Sequence, residues 1–390
     1  MPIIFYAGLL GNGCNIGISK LASTSKGISE NVLENVVNWY FSNDNIIAAN
    51  KRILQFVNKL SLPNLLKRAQ AILHTSSDGK KRVVCVESLL ANNSFKYHGS
   101  DKGVSVYDFI DERHFLFHSN VISSSEREAH YVIDGILNNE EIRSHIHSTD
   151  THGYTEMIFA VMHLLGVSFA PRLAKIKKRV LYSFKSKKVY KEKGYKILPK
   201  SYINVKLIEE NWDDILRFMT SIKLKETTAS QVFKRLSSYS KTHPLYKALK
   251  EFGKIIKSIF LLIYMDNVEL RQSIQKQLNK IELSNKFSDA VFFANNQEFK
   301  QGSKEDQEIA MNCRMLIQNA IVLWNYLYLS EALANCTDKN KQEEMLAIIK
   351  NGSVMIWRHI NFNGEYDFRE NISSNDPMFD ILKILGWEAA

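Results

Sequence analysis

The feature that most restricts the fold of this chain is a run of short β-type segments, interrupted by helical ones, between residues 71 and 172. Ala71–Thr75, Arg82–Val86, Val104–Ile110 and Phe115–Ile122 are rich in β-branched and aromatic residues and are separated by Gly, Asn, Ser and Asp. A helix is predicted next, from a Ser123–Ser125 cap through Glu126 to Leu137, with acids in its first turn where the helix dipole favours them. His145–Thr149 then reads as a strand, Tyr154–Leu165 as a helix and Val167–Arg172 as a strand. On either side the apolar spacing changes to three and four residues. Residues 1–70 read as helical, through Ile28–Tyr40, Asn45–Leu60 and a short helix opened by Pro63. Beyond the strands, helices are predicted over Trp212–Ile222, Thr228–Ser238, Pro244–Tyr264, Val268–Phe293 and Lys304–Leu333, before an irregular aromatic tail from Trp357.

This succession predicts an α/β fold of ribonuclease-H-like layout: a mixed sheet with flanking helices and a large helical insertion. Such a layout serves many metal-dependent nucleic-acid enzymes, but a fold alone assigns no function. Charge narrows the choice. The 51 Lys and Arg outnumber the 41 Asp and Glu, and the formal net charge of +10 favours polyanionic partners. Part of the surplus lies in Lys175–Arg179 and Lys185–Lys193, interleaved with Tyr182, Phe184 and Tyr190. That strip reads equally as a solvated loop or as a DNA-contacting surface. The four cysteines lie far apart with no CxxC pair, which argues against a disulfide scaffold or zinc ribbon and fits a reducing cytoplasm. The apolar run Ile3–Leu10 has neither the basic lead nor the cleavage site of a signal peptide, and no apolar stretch is long enough to span a bilayer. The expectation is a soluble, intracellular protein with no membrane partner.

Two acids stand where strands end in this reading: Asp78, in His74-Thr-Ser-Ser-Asp-Gly-Lys80, and Asp150, in His147-Ser-Thr-Asp-Thr-His-Gly153. Neighbouring strands would set their carboxylates side by side, a pair of hard oxygen ligands suited to Mg²⁺. A third acid on a crossing helix would complete a two-metal site. On pattern alone, Asp78 is equally a turn residue before Gly79, and Asp150 a helix cap before Tyr154. His114, His118, His145, His147 and His152 gather around the predicted sheet, but no cysteine accompanies them and no HExxH occurs, so zinc is disfavoured. Gly11, Gly13 and Gly17 lack the spacing and the preceding strand of a phosphate loop. Arg127 reads equally as a phosphate fork or as the partner of Glu128 or Asp134. Trp324–Tyr328 reads as core or subunit interface rather than as a base-stacking platform.

Ordered motifs settle between these readings. Besides the two above, they are Glu126-Arg-Glu-Ala-His-Tyr-Val-Ile-Asp-Gly-Ile-Leu137, Ser148-Thr-Asp-Thr-His-Gly-Tyr-Thr-Glu156, Leu164-Leu-Gly-Val-Ser-Phe-Ala-Pro-Arg172, Gln277-Leu-Asn-Lys-Ile-Glu282, Asn319-Ala-Ile-Val-Leu-Trp-Asn325 and His359-Ile-Asn361. With them the chain, from about Leu9 to Phe368, resembles the catalytic (DDE) region of the Tn-three family of replicative, class II bacterial transposases. The resemblance implies that Asp78, Asp150 and Glu282 are the catalytic acids and the ligands of two Mg²⁺ ions, with Mn²⁺ as a substitute. It implies nicking at transposon ends and joining of the freed 3′-hydroxyl to target DNA, with a homodimer at work in the full-length form. Arg127, His152 and Arg172 fall in the matching stretches as candidate DNA contacts. The resulting division is a helical lead-in (1–70), a ribonuclease-H-like core with the two aspartates (71–176), a mainly helical insertion (177–267) and C-terminal helices carrying the glutamate (268–390). Two departures stand out. Ile281 occupies the place of a glycine before the last acid, and the N-terminal half that recognises inverted repeats is expected to be missing. Both features also suit a rival reading, an inactive DNA-binding remnant that inhibits an intact relative.

Overall fold

A computed structural model describes residues 2–68, 72–93, 99–151, 153–238, 243–369 and 378–387. The chain forms two compact units: Met1–Ala71, Gly79–Glu126 and Lys280–Ala390 make the first, and Ile72–Asp78 and Arg127–Asn279 make the second.

In the first unit, helices α1 (Pro2–Gly13), α2 (Ile18–Thr24), α3 (Glu30–Tyr40), α4 (Asn43–Val57) and α5 (Ser61–Leu65) lead in. Gly8, Gly11 and Gly13 of α1 serve packing, whereas Gly17 has open space around it and turns the chain at φ 89°. A Cβ on Gly13 would lie 2.6 Å from Ile317 Cδ1 and 2.9 Å from the Cys313 carbonyl carbon, so glycine lets α1 approach a later helix closely. Pro63 is the third residue of α5 rather than its first, the helix opening at Ser61.

Strand β1 (His74–Val83) follows. It is one ten-residue strand where the sequence predicted two, because sheet pairing overrides the turn signal of Asp78-Gly79. Its residues after Asp78 belong to the first unit, as do β2 (Asn92–Asn93), β3 (Lys102–Asp111) and β4 (Leu116–Ser123). β3 and β4, the two strands predicted at Val104–Ile110 and Phe115–Ile122, pair as an antiparallel hairpin with an irregularity between Phe109 and Ile110. His114 makes the turn at φ 74°, a left-handed conformation that departs from the strand position read from the sequence.

In the second unit, the predicted helix at Glu126–Leu137 divides into a 3₁₀ turn (Glu128–His130) and α6 (Val132–Leu137). Strand β5 (Ile146–Ser148), α7 (Glu156–Leu164) and β6 (Ser168–Phe169) come next. A two-stranded parallel pair, β7 (Tyr182–Ser183) and β8 (Ser201–Tyr202), brackets α8 (Lys187–Glu192). The helical stretch then runs through α9 (Val205–Glu210), α10 (Trp212–Lys223), α11 (Ala229–Ser238) and α12 (Pro244–Asp266). α10 shows why these residues are helical: Asp213 and Asp214 sit in the first turn and Lys223 in the last, and Ile215, Phe218, Met219 and Ile222 form one buried stripe.

Helix α13 (Val268–Val291) begins in the second unit and ends in the first. The first unit closes with α14 (Lys304–Asn335), α15 (Lys339–Asn351) and α16 (Ile381–Gly386). Ser303 caps α14 by accepting the Asp306 N–H at 3.0 Å and donating to its carboxylate at 2.6 Å. α14 is the first unit's central rod. Arg314, wholly buried, donates to Asp108 of β3 at 2.7 Å, and Asn319 donates to Asn50 of α4 and to the Leu116 carbonyl, both at 2.7 Å. Tyr326, also buried, donates to the Arg113 carbonyl at 3.0 Å, as the core reading of that aromatic run expects, while Tyr328 is exposed.

The described strands order as β2-β3-β1-β5-β6, with β4 on β3, and β1 to β5 to β6 run parallel. This mixed sheet, with helices around it and a long helical stretch after β6, is the ribonuclease-H-like α/β arrangement that the sequence predicted. Among the described residues no helix is long and apolar enough to cross a membrane.

Candidate active site

The second unit aligns the two aspartates by register. β1 pairs with β5 through His74↔Ile146, Thr75↔His147 and Ser76↔Ser148. Asp78 lies two residues beyond Ser76, and Asp150 two residues beyond Ser148. Because side chains alternate along a strand, Asp78 shares a face with His74 and Ser76, while Asp150 stands in the loop that follows β5. Both are half-buried.

Beneath them the interior is polar. His74 Nε2 is 2.8 Å from Ser148 Oγ, and Ser148 donates to the Ala170 carbonyl at 2.7 Å, so the imidazole N–H donates to the serine. Ser76 and Gln277 of α13 are joined twice: the hydroxyl donates to the Gln277 carbonyl at 3.2 Å and accepts from the Gln277 amide at 3.1 Å. On the opposite face His147 bridges Thr75 Oγ1 (2.8 Å) and Ser77 Oγ (2.9 Å), and its ring stacks on Phe169. Burial, aided by the nearby His74, pulls the His147 pKa down to about 3, so it is a neutral strut rather than a proton donor at pH 7. Every polar atom fixed in this way removes one freedom from the strands that carry the acids.

The loop after β5 has its own device. Asp150 Oδ1 accepts the Gly153 N–H at 2.9 Å, folding the chain back on itself. Residue 153 must be glycine, since a Cβ there would lie 2.7 Å from Thr149 Cβ. The helix cap is Thr155, whose hydroxyl accepts the Ile158 N–H, so the cap reading of Asp150 fails. Arg172 is held beside this loop: its N–H donates to the Thr149 carbonyl at 2.9 Å, and Thr151 Oγ1 donates to the Arg172 carbonyl at 3.1 Å.

Arg127 does not pair with Asp134, whose carboxylate instead accepts the Ala229 N–H at 2.7 Å and the Ser230 N–H at 3.2 Å at the start of α11. Arg127 lines a cavity of about 130 Å³ with His130, Thr155, Glu156, Tyr246 and Lys250. Burial works against the Glu156 charge, but the Lys257 ammonium, at 2.7 Å, more than compensates and holds its pKa below the usual range. His152 lies outside the described residues. Glu282, in the first unit's part of α13, is exposed, whereas Ile281 beside it is buried, at 1% exposure.

Among the described residues no group of three or more His, Cys, Asp or Glu side chains is placed to hold a metal ion. The donor chemistry at Asp78 and Asp150 does fit a hard divalent cation. Two half-buried carboxylates, one on β1 and one in the loop after its parallel neighbour β5, offer oxygens only, and such an ion takes the rest of its shell from water and phosphate.

Comparison with known proteins decides the family. The model of the Tn3 transposase DDE domain matches residues 2–366. The chain belongs to the Tn3 transposase DDE domain family. It is 35% identical over 367 residues to the transposase for transposon Tn1546 of Enterococcus faecium, covering 94% of this chain and 36% of that protein. It is 32% identical over 386 residues to the transposase for transposon Tn2501 of Escherichia coli, covering 97% and 38%. Against the transposase for transposon gamma-delta of Escherichia coli (strain K12) the identity is 30% over 373 residues, covering 94% and 36%. The chain therefore spans little more than a third of the length of these relatives. DDE transposase domains generally use divalent metal ions, in keeping with the two carboxylates.

The sequence pointed to the acids but missed what lies under them. Thr75, Ser76, Ser77, Ser144 and Ser148 carry no periodic signal. The only clue was that a strand buried from His74 to Ser77 is polar throughout.

Proposed function

We propose that this chain is the catalytic part of a DNA transposase, cutting a strand at each transposon end and joining the freed 3′-hydroxyl to target DNA. The observation that best supports this reading is the parallel pairing of Ser76 with Ser148, each two residues before one of the proposed acids, Asp78 within β1 and Asp150 just past β5. In this proposal Asp78, Asp150 and Glu282 supply the carboxylate oxygens for two divalent ions, Mg²⁺ or Mn²⁺. Bound there, the ions would activate the attacking oxygen and stabilise the leaving one. The protein's own task is to position a phosphate against those acids. The buried network of His74, Thr75, Ser76, Ser77, His147 and Ser148 holds the two aspartates, and the Asp150–Gly153 bond fixes the second. Arg172 would neutralise the DNA backbone beside Asp150. Arg127 and Lys250 would seat a phosphate in the small cavity they line, where Lys257 already balances Glu156. His152 is assigned to DNA by resemblance alone. DNA is the partner, and a homodimer is the working form of the full-length enzyme.

Strand transfer tests the reading, using a pre-cut DNA end with a free 3′-hydroxyl, a plasmid target, and Mg²⁺ or Mn²⁺. Joined product is expected from the parent chain. Asp78→Asn and Asp150→Asn should each lower it to background while circular dichroism stays unchanged. A folded parent that joins nothing in either metal, or an Asp78→Asn chain that joins as well as the parent, would refute it.

A further inference from the structure

We propose that an apolar groove on the second unit, walled by Tyr182, Phe184, Tyr190 and Tyr195, takes unpaired bases of a DNA strand while the lysines around it hold the phosphates; this rests on the reading of the chain as a DNA-acting enzyme. The groove encloses about 520 Å³, within the ~300–1,000 Å³ range of clefts that take small organic groups. Its floor is α12, through Ile259 and Leu262. Phe184 and Tyr195 are each 58% exposed, and Ile259 is 51% exposed, so the site is a standing apolar surface rather than interior. Contiguous exposed apolar surface of this kind marks a binding site.

Charge identifies the occupant. Residues 181–200 carry lysines at 185, 187, 188, 191, 193, 196 and 200 against one acid, Glu192, whose carboxylate lies 3.9 Å from Lys188. Lys196 lines the groove itself and the segment that walls it is densely cationic, so a ligand that is flat and apolar where it enters and anionic where it leaves fits it best. A nucleotide strand has that chemistry. The walls are aromatic rather than aliphatic, with the Tyr190 and Tyr195 rings 5.9 Å apart, and every base offers a π-face to such rings. The Lys254 ammonium lies 5.2 Å from the Tyr182 ring centre and that of Lys257 5.8 Å, and Ser258 accepts the Tyr182 N–H at 3.0 Å, so this wall is anchored before any ligand arrives. In a duplex the bases are stacked on one another and cannot enter, so the groove selects single-stranded or locally opened DNA.

The test measures binding of the intact 390-residue chain to labelled oligo-thymidine and to a blunt hairpin duplex over a range of salt. The double variant Phe184→Leu/Tyr195→Leu keeps apolar area and removes the rings. It should bind oligo-thymidine roughly tenfold or more weakly, with duplex binding unchanged. Lys187→Gln/Lys196→Gln should flatten the salt dependence on the single strand. Oligo-thymidine binding that survives the leucine variant overturns the inference, as does an equal loss on single strand and duplex. It is equally overturned if sedimentation shows that the leucine variant dissolves a dimer while DNA binding stays intact, since the groove would then cover a second copy. Strand-transfer assays on the same proteins separate this from the catalytic reading: a chain that joins no ends yet shows the leucine-sensitive single-strand binding keeps the groove and loses the catalytic assignment.

Discussion

Gly253→Ala is the sharpest test of how the second unit holds its site. Gly253 lies in α12, where an alanine would by helix propensity alone stabilise the chain by about 1 kcal/mol. The structure predicts the opposite sign. A Cβ at 253 would lie 1.7 Å from the Glu156 carbonyl oxygen, 2.5 Å from its carbon and 3.2 Å from its Cα. These are backbone atoms at the start of α7, so no side chain can swing aside. The helices must part by more than an ångström, which loosens the Phe159–Phe260 ring contact at 5.6 Å and stretches the Lys257–Glu156 pair from 2.7 Å. Overpacking costs about 1–3 kcal/mol and sometimes more, and a 1.7 Å approach to backbone puts this case at the upper end, about 3 kcal/mol, so the expected net loss is roughly 2 kcal/mol after the ~1 kcal/mol propensity gain. Because α7 follows directly on the Asp150 loop, strand transfer should fall as well. Urea unfolding measures the first effect and the joining assay the second, with Lys257→Met as the control that breaks the ion pair without the clash. If Gly253→Ala proves neutral or stabilising, the close approach of α12 to α7 is not what fixes that loop.

Buried histidines make the protein acid-sensitive. His114 in the first unit and His147 in the second are each held near a pKa of about 3 by burial, with Lys280 and His74 as the respective secondary causes. Each stays neutral when folded and takes a proton when unfolded, so stability is full above about pH 6.5 and drains as pH falls toward 3. From pH 7 to pH 5 the loss is about 2 kcal/mol per histidine, and urea midpoints that do not move over that interval would refute it. Arg314→Met should cost about 3–5 kcal/mol at pH 7 by stranding the Asp108 carboxylate, and Asp108→Leu added to it should restore most of that. Equal destabilisation in the single and double variants would show that the pair is not the source.

Elements with a periodic face were readable before the structure. The β3–β4 hairpin and helices α10 to α14 lie within a few residues of their predicted bounds: β-branched and aromatic runs marked the strands, and helical spacing such as the buried stripe Ile215, Phe218, Met219 and Ile222 of α10 marked the helices. β1 was not readable as one strand. Its centre, Ser76-Ser-Asp-Gly-Lys, has the composition of a turn and is extended only because β3 and β5 pair with it. The family was legible through ordered motifs and not through physics, and the assignment of the acids rests on those motifs, since any chain with 41 acids offers many such pairs. The hydroxyls and imidazoles beneath them were invisible, because their use depends on partners more than 60 residues away: Thr75 with Ser144 and His147, Ser76 with Gln277.

The route of the chain through its two units limits how the protein can be taken apart. One boundary falls inside β1, between Asp78 and Gly79, and another inside α13, between Asn279 and Lys280. A fragment that begins at Arg127 therefore lacks the strand that pairs with β5 and presents that edge bare to solvent, an invitation to pair with other chains. A fragment that ends at Asn279 stops in mid-helix and leaves four carbonyls without partners. Neither unit can be trimmed to a self-contained piece by terminal deletion, and a protease that nicks the links between segments should leave the parts associated. The same interleaving means that the parallel pairing of β1 with β5 must wait for residues beyond 145, a non-local contact of the kind that slows folding.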